Sequence, residues 1–145
     1  MTGARILIVE DTPHNLELMT YLLNASGHTV IPATTGERGL ALARIERPDL
    51  IVLDVQLPDT DGYQVLAQLR ADPDLAVTPV VAVTSYAMVG DSDSALAAGF
   101  DGYLSKPIDP VSFARDIDAQ LPAPLRGHPP SAQWDPTSPD PSRER

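Results

Sequence analysis

The sequence predicts an α/β protein, a (βα)5 three-layer sandwich in which a parallel five-stranded sheet is covered by helices on both faces. Three observations predict it. Strand-length aliphatic runs alternate with helix-length amphipathic segments five times between residues 4 and 121. The connections are short, as β-α-β crossovers to a parallel neighbour usually are. The third and fourth runs are apolar nearly throughout, as expected of strands with both faces covered.

The elements follow in order. Residues 4–9 form the first aliphatic run. Thr12 and Pro13 then read as a helix start, Thr12 at the N-cap and Pro13 at the first helical position, where its missing N–H costs nothing. Leu16, Met19 and Leu23, with Leu18 and Leu22, give the 3.6-residue stripe of a helix packed on a sheet, and Gly27 stops it. Residues 28–33 are the second strand, and 37–46 the second helix, closed by Pro48 and capped within Thr34-Thr35-Gly36. Residues 49–53 are the third strand, and 63–71 the third helix, with Val65, Leu66 and Leu69 inward. Residues 79–83 are the fourth strand. Residues 91–98 form a weak fourth helix, rich in Ser and Ala and ended by Gly99. Residues 102–105 are a short fifth strand, and 111–121 the last helix, with Phe113, Ile117 and Leu121 four apart.

The remainder, 122–145, holds seven of the fifteen prolines and no apolar period. Such a segment cannot bury enough surface to offset its ordering entropy, so it is expected to be a disordered tail, with Trp134 solvated in it. The expected organisation is one domain over 1–121 followed by this tail, with no DNA-binding or catalytic output domain after it.

Charge excludes several classes of function. Residues 1–121 carry 17 acidic and 7 basic residues, which accounts for the whole net charge of −10. Phosphate backbones require clustered Lys and Arg, so neither nucleic acid nor an anionic membrane is expected as a partner. No apolar run has the length of a membrane span, and the N-terminus lacks the pattern of a signal peptide. Cysteine is absent, which removes disulfides and thiolate metal sites. A cytoplasmic location is expected.

A parallel sheet gathers the ends of its strands at one edge, where open α/β sheets bind their ligands. Here those ends supply Glu10 and Asp11 after the first strand and Asp54 at the end of the third. Thr84 and Ser85 follow the fourth, and Lys106 with Pro107 the fifth. Three carboxylates, a hydroxyl and an ammonium suit phosphoryl chemistry with Mg²⁺. That ion takes hard oxygen ligands, and a carboxylate can act as nucleophile to form an acyl phosphate. Lys106 and the Thr84 hydroxyl would share the charge of the transferring group with the metal.

These segments resemble the receiver domains of bacterial response regulators, the CheY-like family. The matching pieces are Ile-Leu-Ile-Val-Glu-Asp at 6–11, Leu-Asp-Val-Gln-Leu-Pro-Asp-Thr-Asp-Gly at 53–62, Val-Ala-Val-Thr at 81–84 and Tyr-Leu-Ser-Lys-Pro-Ile at 103–108. The resemblance covers roughly residues 4–121. Val-Glu-Asp-Thr-Pro-His-Asn at 9–15 and Val-Thr-Ser-Tyr-Ala-Met at 83–88 are most similar to single-domain regulators of the cell-division, DivK-like type. The strand order 2-1-3-4-5 is carried over from the flavodoxin-like class of sheets.

The resemblance implies a role for each site residue. Asp54 is the phosphoacceptor. Asp11 and Asp54 bind Mg²⁺ directly, Glu10 mostly through water, and Gln56 through its backbone carbonyl. Thr84 is the switch hydroxyl, Lys106 its counter-charge, and Tyr103 the aromatic that moves between outward and inward positions. The Lys106–Pro107 bond is cis. Glu10 stands where many members carry a second Asp, which loosens the metal coordination slightly. The donor is a sensor histidine kinase or a histidine phosphotransfer protein. The output is a contact with a downstream protein target, made by a reshaped surface of the fourth helix, fifth strand and fifth helix. The protein is then a switch with slow self-dephosphorylation rather than an enzyme, and Gln56 and Tyr86, each two residues beyond a site residue, would shield or admit the attacking water.

Other readings are weighed against this one. Asp11 alone could merely favour a helix N-terminus. Asp59, Asp61 and Gly62 read as a turn, since the further ligands of a calcium loop are missing. A haloacid-dehalogenase-type phosphatase would need two aspartates spaced by one residue after its first strand, and Glu10-Asp11 does not supply them. A constitutive protein-binding pseudo-receiver would usually lack one of Glu10, Asp11, Asp54, Thr84 and Lys106. A flavodoxin-like enzyme would need a Ser/Thr-rich loop after the first strand. His14 and His28 are expected at the surface, without a role.

Overall fold

Alternation of side chains along each strand builds this fold. A computed structural model describes residues 3–85, 91–122 and 125. The elements are β1 (Arg5–Val9), α1 (Pro13–Ala25), β2 (Thr29–Ala33), α2 (Gly36–Glu46), β3 (Leu50–Asp54), α3 (Gly62–Ala71), β4 (Val80–Thr84), α4 (Asp91–Ala98), β5 (Gly102–Ser105) and α5 (Phe113–Asp118). The strands pair in parallel in the order β2-β1-β3-β4-β5, as expected. Successive residues of a strand face opposite ways. Leu7, Val9, Ile51 and Leu53 therefore join Leu40, Ala43, Val65, Leu66, Leu69 and Ala95, from α2, α3 and α4, in one buried cluster. Ile6, Ile8, Leu50, Val52, Val81 and Val83 join Met19 and Leu23 of α1 and Phe113, Ile117 and Leu121 in the other. Burying each large side chain contributes roughly 2 kcal/mol, so the sheet is held from both sides. Pro32 lies in β2, an edge strand, where a missing N–H is tolerated.

The predicted boundaries are corrected at several points. The last helix is shorter than 111–121. Val111 is exposed, its N–H bonded to the Asp109 carboxylate at 2.9 Å. Beyond Asp118 the backbone tightens, Gln120 N–H donating to Ile117 and Leu121 N–H to Asp118 ahead of Pro122. The stripe Phe113, Ile117 and Leu121 is buried nonetheless. Thr12 occupies the N-cap position of α1, but its side chain makes no capping bond. Its own N–H instead donates to Glu10 Oε2 at 3.0 Å. Thr35 does cap α2, accepting from Arg38 N–H at 3.1 Å. Leu125 packs against the cluster between the sheet, α1 and α5. The expectations for Tyr86, for Trp134 and for most of 122–145 fall outside the described residues.

His28 is not a surface residue: it is 4% exposed, whereas His14 is exposed. Its Nδ1 accepts from the Ala4 N–H at 2.9 Å, and its Nε2 lies 2.7 Å from Asp118 Oδ1. Because Nδ1 accepts, the proton sits on Nε2, facing the carboxylate. The ring thereby ties the start of β1 to α5. Its partner lies 90 residues away, so no local pattern marks the contact.

Candidate functional site

Register carries the expected residues to one edge. Val9 pairs with Leu53, Asp54 with Val83 and Thr84 with Ser105. Glu10, Asp54, Thr84 and Lys106 thus leave adjacent strands at the same level. Glu10, Asp54 and Thr84 are buried, and Asp11 is exposed. Glu10, Asp11 and Asp54 each bring a carboxylate oxygen within 4.8 Å of the others. Lys106 reaches back over them, its Nζ 2.8 Å from Glu10 Oε1 and 3.1 Å from Asp54 Oδ2. Its backbone N–H donates to the Thr84 carbonyl at 2.8 Å, and the Lys106–Pro107 bond is cis. Gln56 donates its N–H to Asp54 Oδ1 at 2.9 Å. Tyr103 is half-buried and packs on the cluster shared with α2, α3 and α4.

Two residues read from the sequence only as turn formers have defined contacts here. Asp61 caps α3, accepting from Gln64 N–H at 2.9 Å. The signal was present, since Asp followed three residues later by Gln is a capping-box pattern. Asp59 bonds across to α2, as described below.

The electrostatics follow from burial. Removal from water, reinforced by the Glu10 charge, pushes the Asp54 carboxyl up to about 6, against the opposing pull of the Gln56 N–H and Lys106. Burial alone would lower Lys106, but its bonds to Glu10 and Asp54 outweigh that and hold the ammonium above its usual range. In metal-free protein the raised Asp54 binds its proton more tightly folded than unfolded. Stability from this group is therefore full below pH 3.8 and lost as pH rises toward about 6. Over that window the wild type should lose on the order of 2 kcal/mol relative to Asp54→Asn. Denaturant titrations of both proteins in EDTA check this, and parallel pH profiles would contradict it.

The oxygen donor set fits a hard divalent cation such as Mg²⁺, which takes carboxylates and keeps several waters. A buried carboxylate beside such a cation and an ammonium is also equipped to attack phosphorus.

A sheet of this order with this group at its carboxyl edge defines a signalling receiver rather than a conventional active site. Residues 6–118 match the response regulator receiver domain, and the chain belongs to that family. It is 41% identical over 116 residues to the polar-differentiation response regulator DivK of Brucella anthropi, covering 80% of this chain and 94% of that one. Among solved structures it is similar to the chemotaxis response regulator CheY4 of Vibrio cholerae, at 27% identity and a TM-score of 0.78, covering 83% of this chain and 100% of that one. It is also similar to the receiver domain of sensor histidine kinase PA1611 from Pseudomonas aeruginosa, described with a magnesium ion coordinated in its active site cleft. That likeness has 32% identity and a TM-score of 0.74, covering 82% of this chain and 98% of the other. Among the described residues, no helix is long and apolar enough to cross a membrane.

Proposed function

We propose that this protein is a phosphoacceptor switch of a two-component or phosphorelay pathway, taking a phosphoryl group on Asp54 from a phosphohistidine donor. The observation that carries the reading is the meeting of Glu10, Asp11 and Asp54 within 4.8 Å, with Lys106 bonded to two of them. Asp11 and Asp54 would hold Mg²⁺, with Glu10 behind them and the Gln56 carbonyl completing the set. The ion supplies charge neutralisation for the phosphoryl oxygens. Asp54 attacks phosphorus in line, an O–P bond forming as the donor's N–P bond breaks, and the histidine leaves as the neutral ring after taking up a proton. The Gln56 N–H orients the attacking carboxylate, and Lys106 neutralises charge on the product. Water later hydrolyses the acyl phosphate slowly.

The output is a shifted conformational population in which Thr84 and Tyr103 reposition and the surface of α4, β5 and α5 changes. α4 suits this, since Leu96 is 49% exposed and Ala95 is the buried apolar residue described in it. A histidine kinase or histidine phosphotransfer protein supplies the phosphate, a downstream protein reads the state, and 1–121 acts as the receiver with 122–145 as tail. The soluble acidic domain suits a cytoplasmic setting.

Acetyl phosphate with Mg²⁺ should give one phosphoryl adduct in the wild type, by intact mass, and none in Asp54→Asn. If a phosphorylated histidine kinase also leaves the wild type unmodified, the chain is a pseudo-receiver that works through constitutive contacts.

A further inference from the structure

The loop between β3 and α3 is bound more tightly than a turn at a helix start requires. It closes on itself through a Gln56–Asp61 bridge and a Leu57 N–H bond to the Thr60 carbonyl at 3.2 Å. At its end Gly62 donates to the Val55 carbonyl. A Cβ at Gly62 would stand 2.8 Å from Val55 Cα and 2.9 Å from the Asp54 carbonyl oxygen, so the loop returns directly onto the end of β3. The exposed Asp59 at its tip then reaches another element. Its Oδ1 accepts from Gly36 N–H at 2.8 Å and its Oδ2 from Glu37 N–H at 3.0 Å. These two donors open α2, whose next N–H, on Arg38, is already taken by Thr35. Gly36 allows the approach: a Cβ there would collide with Thr60 Cγ2. Both oxygens of one carboxylate are thus spent on successive amides of a foreign helix, at the positive end of its dipole.

We propose that Asp59 is a positioning residue for the phosphoacceptor. By fastening the loop tip to α2 it keeps residues 55–61 closed, so that the Gln56 N–H holds Asp54 Oδ1 and the Gln56 carbonyl stays in place for the cation. The inference rests on the reading of Asp54 given above, but its first measurement does not depend on phosphorylation. Helix-end stabilisation alone would explain the same two bonds, and Thr35 provides the control: its side chain caps the same helix end through the Arg38 N–H, not through Asp59.

In metal-free Asp59→Ala the Gln56 amide should exchange hydrogen severalfold faster than in the wild type. Mg²⁺ binding, followed by amide shifts of the site, should weaken about tenfold, the usual size when an outer partner of a metal ligand is lost. Thr35→Ala should lower the melting temperature comparably while leaving the Gln56 exchange and the Mg²⁺ affinity unchanged. Asp59→Asn, which keeps one acceptor, should fall between and serves if the alanine variant does not fold. The proposal is overturned if the Asp59 variants match Thr35→Ala in either Gln56 exchange or Mg²⁺ affinity. If both change while wild-type Asp54 accepts no phosphate from any donor, the loop fastening stands and the functional reading falls.

Discussion

Lys106→Ala is expected to cost metal-free protein about 3 kcal/mol at pH 8, the usual size when one partner of a buried ion pair is removed. The Lys106 side chain is 10% exposed, and its ammonium stands 2.8 Å from Glu10 Oε1 and 3.1 Å from Asp54 Oδ2. Without it two buried carboxylates face each other with no cation between them. The carboxyl of Asp54, already pushed up to about 6, must rise further, because both influences of Lys106 on it are lowering ones. The deficit should therefore shrink as pH falls and Asp54 takes its proton, and Mg²⁺ should restore part of it by binding the folded state. Any metal binding by the carboxylates should persist, since none of Glu10, Asp11 and Asp54 is lost. On the proposed reading, the conformational change that phosphorylation would drive should vanish, because the charge of the phosphoryl group would have lost its partner. Urea titrations at several pH values, with and without Mg²⁺, test the first part. A variant as stable as the wild type at pH 8 would show that the three-way ion pair has no net worth. A normal fluorescence response to phosphorylation would remove the second part.

The way Lys106 arrives at this place marks the boundary between what the sequence discloses and what it conceals. The alternation in 6–9 and 50–53 dictates two buried faces, and parallel pairing dictates that Glu10, Asp54, Thr84 and Lys106 end side by side. Period, burial and motif agree there, so both the fold and the candidate site were readable. What escaped depends on partners distant in the chain. His28 looks like a polar residue at a strand start until Ala4 and Asp118 close on it. Asp59 looks like a turn former until the amides of residues 36 and 37 are found against it. Short polar side chains serve a local turn and a remote backbone equally well, so their spacing alone does not separate the two uses. The end of α5 escaped for another reason: its apolar stripe continues to Leu121, but the backbone tightens before the stripe ends.

Arg70 is the extreme case of such a remote contact, and its replacement by alanine should destabilise the protein by about 3 kcal/mol. From the last turn of α3 its guanidinium spans two other chain segments. Nη1 donates to the carbonyls of Ala76 at 3.1 Å and Thr78 at 2.7 Å, and Nη2 to the Gly99 carbonyl and Asp101 Oδ2, both at 2.8 Å. Asp101 Oδ2 also accepts the first amide of β4, on Val80, at 2.8 Å. One side chain thus fastens the connection before β4 to the turn after α4, where Gly99 adopts φ +116. Charge-assisted bonds are individually worth 1.5–3 kcal/mol, but the side chain is 24% exposed and water can reclaim some of the freed acceptors, so the sum is well below four such bonds. Arg70→Lys should recover less than half of the loss, because a point charge cannot serve four acceptors in a fixed fork. Denaturant midpoints of the three proteins at constant m-value measure this. Because α4 has little apolar burial of its own, its turn at Gly99 should also become the first segment to exchange amide hydrogens in Arg70→Ala. Equal protection there in the two proteins would mean that α4 is held by its packing on the sheet and not by this fork.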